Sequence, residues 1–112
     1  MRKQMIENAA YDVATQVRTV EDCIESALAE IADLQGKMIR ARAVAGIATA
    51  VGHPALEQLV GATQGLISAR GGMANCHAAL VEARGQVPGL RTVGFGDVGE
   101  CPPQLAQLRA VG

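Results

Sequence analysis

The chain has 112 residues, of which 49% are hydrophobic and only 2% aromatic, and its formal net charge is −1. Its length suits a single domain, and its apolar content excludes a disordered chain. The balanced charge makes nucleic acid an unlikely partner, and the shortage of aromatic residues argues against a β-sandwich.

The first predicted element is a helix over about residues 3–51. Apolar residues recur at alternating steps of four and three, which is the 3.5-residue period of a coiled-coil seam. Gly36 weakens this helix by about 1 kcal/mol without ending it, and the Ala-rich sequence after Arg40 continues it. The predicted seam consists of Ile6, Ala10, Val13, Val17, Val20, Ile24, Ala27, Ile31, Leu34 and Met38.

A turn and a second helix are predicted next. Gly52 suits the end of one helix and Pro54 the start of another, so the second helix is predicted over about residues 54–84. Gly85 and Pro88 mark its end. Small and large residues alternate along its seam, an arrangement that lets two helices approach closely. This seam consists of Ala55, Leu59, Ala62, Leu66, Ala69, Met73, Cys76, Leu80 and Ala83.

These two helices predict an all-α fold, a long antiparallel, coiled-coil-like helical hairpin over residues 1–85. Residues 1–35 carry a net charge of 3 − 7 = −4 and residues 36–112 carry 7 − 4 = +3, which favours antiparallel contact. Two ordinary solvated faces would explain the asymmetry equally well. Apolar residues outside the second seam predict a helical-bundle homo-oligomer, unless the C-terminal tail covers them. These residues are Leu56, Val60, Ile67, Ala74 and Val81.

The tail, residues 86–112, is rich in Gly and Pro and is predicted to be irregular, with a possible short helix near its end. Residues 94–99 match the pattern G-x-G-x-x-G, which binds dinucleotides where a strand precedes it and a helix opens at it. Cys101, Pro102 and Pro103 follow almost at once and leave no room for that helix, so we interpret the match as a turn. Phe95 is the expected anchor if the tail packs.

A basic row on the second helix is the candidate ligand site. Arg70, His77 and Arg84 recur every seventh residue, and two guanidiniums flanking an imidazole can bind phosphate or carboxylate. Lys37, Arg40 and Arg42 form a second basic cluster near the end of the hairpin. The alternative is a solvated flank whose arginines pair with acids of the first helix, such as Glu25 or Glu30. Two interpretations stay open for Tyr11: it stacks on a nucleotide base, or it caps a hydrophobic edge.

No catalytic constellation is present, so we predict neither an enzyme nor a cofactor. A Ser-His-Asp set, an H-E-x-x-H motif and a P-loop are all missing. Cys23, Cys76 and Cys101 lie far apart, which predicts reduced thiols and no metal site. The sequence shows no signal-peptide pattern and no membrane-spanning stretch, so a cytoplasmic protein is expected.

The plan of the chain resembles that of small helical proteins encoded by phages and prophages of high-GC bacteria. The resemblance is carried by the amphipathic first helix, the Ala-rich middle and the tail sequence 89–97 followed by Cys101-Pro102-Pro103. It implies two hypotheses. In the first, the protein is a non-catalytic homo-oligomer for interaction or assembly. In the alternative, it is an accessory protein that sequesters an anionic nucleotide signal of the host at its subunit interfaces.

Overall fold

A computed structural model describes residues 2–87 as two helices, α1 (Arg2–Ala45) and α2 (Thr49–Arg84). They pack as an antiparallel hairpin, so the predicted all-α fold is confirmed. The G-x-G-x-x-G match, Phe95 and the possible terminal helix lie outside the described residues.

The turn between the helices is built on Gly46. This glycine has φ of +68°, the left-handed region that residues with a Cβ rarely adopt. Its N–H donates to the carbonyl of Ala43 at 3.2 Å, and the N–H of Ile47 donates to the carbonyl of Arg42 at 3.4 Å. Together these bonds form a Schellman cap, which satisfies carbonyls at the end of α1. The Arg42 side chain adds a hydrogen bond from Nη1 to the Ile47 carbonyl at 3.0 Å.

The predicted turn at Gly52-His53-Pro54 is therefore wrong, as are the helix ends at 51 and 54. All three residues lie inside α2, which begins at Thr49. Pro54 removes one hydrogen bond, the one that its N–H would have donated to the Ala50 carbonyl. The loss falls near the helix start, and the cap at Gly46 ends α1 before the Gly-His-Pro sequence is reached.

The described residues divide into two compact units. We call residues 2–20 with 73–87 the open-end unit, and Glu21–Gly72 the turn unit. In the open-end unit, Ala10 and Ala14 pack against partly buried Leu80, Val81 and Val87. Ala10, Ala14 and Val17 are the buried side chains among the described residues.

In the turn unit the two helices meet along half-buried rows of residues. The members are spaced by three and four positions, the spacing of residues that share one helix face. Leu28 and Arg42 belong to the first row of α1, and Leu56 and Thr63 belong to the first row of α2. The second rows are Ile24, Ile31 and Met38 in α1, and Gly52, Leu59 and Leu66 in α2.

Seven of the ten residues in the predicted seam of α1 are buried or half-buried at the helix contact, including Val20 and Ala27. Its members at every seventh position are confirmed there as buried or half-buried: Ala10, Val17, Ile24, Ile31 and Met38. Three of the alternate members, Ile6, Val13 and Leu34, are instead exposed. Ala14 and Leu28 occupy the contact in their place.

The predicted seam of α2 needs the same correction. Its large members are confirmed as half-buried, namely Leu59, Leu66, Met73 and Leu80. Its small members are exposed, namely Ala55, Ala62, Ala69, Cys76 and Ala83. The leucine row of α2 has the alanine row on one side and a row of longer side chains on the other. In the structure α1 contacts the longer side chains, whose apolar stems cover more surface than a methyl group. Leu56, Thr63, His77 and Arg84 are half-buried as a result.

Candidate interaction surface

One flank of the turn unit is entirely apolar. Both helices are right-handed and they run in opposite directions, so the residues directly before the first row of each helix fall on the same side of the pair. We call this set the apolar flank: Ala27, Leu34 and Ala41 of α1, and Ala55, Ala62 and Ala69 of α2. Ala27 is half-buried and the other five are exposed. Leu34, with 47% of its surface exposed, is the largest side chain on it.

The other side of the turn unit, which we call the mixed flank, combines apolar and charged residues. Its positions directly follow the second rows: Glu25, Ala32 and Ile39 of α1, and His53, Val60 and Ile67 of α2. Ile39, Val60 and Ile67 are 47%, 51% and 56% exposed. Nε2 of His53 lies 3.1 Å from a carboxylate oxygen of Glu57, one turn along α2.

The Arg70 guanidinium links α2 to α1 on this mixed side. Its Nε–H donates a hydrogen bond to Oε1 of Glu25, and the two groups form an ion pair. The hydrogen bond, and then the attraction of the carboxylate, raise the pKa of Arg70 further above its ordinary value. About half of each side chain remains exposed, so water screens the pair.

Residues 58–81 of α2 hold one charged residue, Arg70, in 24 positions. None of the residues of α2 is buried within the chain. A surface helix ordinarily has a charged or polar face opposite its apolar face, and this stretch of α2 has no charged face. Gly65 and Gly72 have open space around them, since a Cβ added at either position would meet no atom within 4 Å.

The predicted ligand residues are divided between the two units. Arg70, Lys37 and Arg40 belong to the turn unit. Lys37 is exposed, and the Arg40 guanidinium lies over Gly36, whose added Cβ would come within 3.1 Å of Nη1. Lys37 lies about 18 Å along α1 from Glu25, the partner of Arg70. The Lys37 and Arg40 cluster and Arg70 therefore do not form one site in this unit.

Tyr11, His77 and Arg84 belong to the open-end unit. Tyr11 is 68% exposed. His77 and Arg84 are half-buried in the row through which α2 meets α1. Nε2 of His77 and Nε of Arg84 are shielded from solvent, and both side chains interact with other groups. For Arg70 the structure shows the alternative stated above, pairing with Glu25, and the nucleotide site stays a prediction.

The apolar flank was visible in the sequence only as part of a seam. Each of its residues except Ala41 appears among the predicted seam positions, and the structure places them beside the contact. One sequence signal indicates that apolar residues also lie outside the contact: residues 58–81 carry no charge except Arg70. A hairpin buries only one stripe of each helix, so the other apolar residues of this stretch stay exposed.

Within residues 2–87, no group of three or more His, Cys, Asp and Glu side chains is placed to hold a metal ion. Neither helix in that range contains a segment long and apolar enough to cross a membrane. Comparisons of the chain with protein-family models, curated proteins and solved structures found no match.

Proposed function

We propose that this is a non-catalytic helical protein that acts by self-association, as an interaction or assembly component. The observation that supports this is the set of large hydrophobic side chains left exposed on both helices and the turn. They are Met5, Ile6, Tyr11, Val13, Leu34, Ile39, Val44, Ile47, Val51, Val60 and Ile67.

Exposed apolar surface of this extent is costly in water. Removing it from solvent contributes about 25 cal/mol per Å². Single exposed hydrophobic residues are normal on a protein surface, but contiguous apolar surface marks an interaction site. Here Ile6 and Val13 of α1, and Val60 and Ile67 of α2, are each seven residues apart, so each pair lies on one face of its helix.

A phage or prophage setting is part of this proposal and is supported only by the resemblance of the sequence. In such a setting, the role is that of a structural or assembly part. The second hypothesis, nucleotide sequestration, needs free basic side chains at a subunit interface. It is the weaker candidate because Arg70 already has a carboxylate partner in Glu25.

Native mass spectrometry of the full-length protein tests the proposal. We expect a discrete multiple of the 11.6 kDa chain at micromolar concentration. A protein that stays monomeric at every concentration up to about 100 µM would contradict the proposal, because a dissociation constant above that value is weak for a dedicated assembly protein. An oligomer that gains a fixed small-molecule mass after incubation with a cell extract would favour nucleotide sequestration instead.

A further inference from the structure

We infer that a second copy of this chain docks on the apolar flank of the turn unit, with Leu34 of each copy seated against Ala62 and Gly65 of the other. The inference rests on the proposed self-association and names the face that carries it.

The flank is self-complementary in size. Its α1 side carries the one large side chain, Leu34, whereas its α2 side carries only alanines. A twofold axis parallel to the helices places α1 of one copy over α2 of the other, so the large residue of each meets the small residues of its partner. Such an interface is isologous: the contact made by Leu34 is repeated by symmetry.

Small residues continue past the flank on the outer side of α2. Ala62, Gly65, Ala69 and Gly72 follow one another at steps of three and four, and all four are exposed. A Cβ added at Gly65 or Gly72 would meet no atom within 4 Å, so this surface is open to another helix. A helix packed there approaches to about 8 Å between axes, the close end of the range for helix pairs.

The area is adequate for a stable dimer. The turn unit contains 25 residues of α1 and 24 of α2, so each helix is about 36 Å long there. Two helices side by side present a face about 20 Å wide, which gives about 700 Å² per copy. A stable interface of standard size buries about 800 Å² per partner.

Charge favours the apolar flank over the mixed flank. Interface cores are depleted of charged residues. The mixed flank carries the exposed Glu25–Arg70 pair and the exposed His53–Glu57 pair, which a docked partner would have to desolvate. The six positions of the apolar flank carry no charge, and the charged residues beside it, Glu30 and Lys37, lie at its outer edge on α1.

Two matched substitutions in the full-length chain test the assignment. Leu34 and Ile39 are both on α1 and both 47% exposed, but they lie on opposite flanks. Leu34→Asp would place a carboxylate in the core of the interface, so we expect the dimer dissociation constant to rise by about 30-fold or more. Ile39→Asp is expected to change it by less than about threefold, a typical effect for a position outside the interface. Sedimentation equilibrium measures both.

A second pair guards against unfolding caused by the new carboxylate. Ala62→Leu and Ala32→Leu each enlarge an exposed alanine without lowering helix propensity much. Ala62→Leu is expected to weaken the dimer by at least about tenfold, since it fills the space that Leu34 of the second copy requires. Ala32→Leu on the mixed flank is expected to leave it unchanged, with equal helical circular dichroism in both variants.

The outcomes separate this inference from the proposal on which it rests. A wild-type protein that is monomeric at all concentrations overturns both. A wild-type oligomer that survives Leu34→Asp and Ala62→Leu, or that is broken by Ile39→Asp, overturns the assignment of the face and leaves self-association standing.

Discussion

Val17 is the bulkiest of the buried side chains in the described part of the chain, with 7% of its surface exposed. The two others, Ala10 and Ala14, bury only a methyl group each. Burial contributes stability in proportion to the apolar area removed from water. Individual substitutions at the helix contact are therefore expected to differ mainly with the size of the side chain that is lost.

We predict that Val17→Ala lowers the free energy of unfolding by about 1.5 to 2.5 kcal/mol. The substitution removes about two buried methylene equivalents and leaves a small cavity. Val44→Ala is the control, because Val44 is 90% exposed and loses almost no burial. Urea denaturation of both variants measures the difference, and equal losses would contradict the burial pattern described for α1.

At the same scale, the Glu25–Arg70 pair is expected to add little stability. Exposed ion pairs contribute about 0.2 to 1 kcal/mol, so the coupling energy between the two side chains, measured with Arg70→Ala, should fall in this range. A double-mutant cycle with Glu25→Ala measures the coupling, which should shrink in 0.5 M NaCl as screening increases. A coupling above about 2 kcal/mol would contradict the exposure seen here.

The pair also has a defined effect on pH dependence. Glu25 raises the pKa of Arg70, so the stability from this guanidinium is complete below the ordinary arginine pKa and is lost only as pH rises through the higher folded value. Between pH 6 and 9, titration of Arg70 is therefore expected to leave the coupling energy unchanged. The same double-mutant cycle at the two pH values checks this.

Moving to the scale of elements, the hairpin depends on where α1 ends. Gly46→Ala forces a Cβ into the left-handed conformation at φ of +68° and is expected to cost about 1 to 2 kcal/mol. Gly52→Ala lies inside α2 with open space around the new Cβ, so it should stabilise the protein by up to about 1 kcal/mol. Thermal denaturation compares the two variants. If Gly46→Ala stabilised the protein and Gly52→Ala destabilised it, the turn would lie at Gly52 instead.

The helices themselves were predictable because their heptad pattern is long and apolar. The position of the turn was not, because Gly46 and Gly52-His53-Pro54 both carry a stop signal and the sequence does not rank them. The structure selects Gly46, where two backbone hydrogen bonds close the cap. Pro54 is the sixth residue of α2, where its ring costs the helix one backbone hydrogen bond.

The facing of each helix was predictable only in part. Leu59 and Leu66 identify one row at the contact, but the heptad spacing permits its companion row on either side. The alanine row looked correct because it is wholly apolar, and the other row contains Arg70 and His77. The longer side chains of that row cover more of α1 than a methyl group does, and hydrophobic spacing does not express this property.

At the scale of the whole molecule, folding and assembly are expected to be coupled. If the native state is a dimer, its apparent stability rises with protein concentration by mass action. For helices of this length we expect the unfolding midpoint to rise by about 4 °C for each tenfold increase in concentration. Differential scanning calorimetry from about 5 to 500 µM measures this. A constant midpoint over that range would mean that folding and association are separate.

The scarcity of charge along residues 58–81 has a consequence for how such an assembly would respond to temperature. An interface with no ion pairs at its core gains its stability from the release of water, and that gain weakens as water is cooled. Added salt would then have little screening to exert, whereas cold would loosen the copies from one another. Such an oligomer would be more stable against dissociation at growth temperature than on ice.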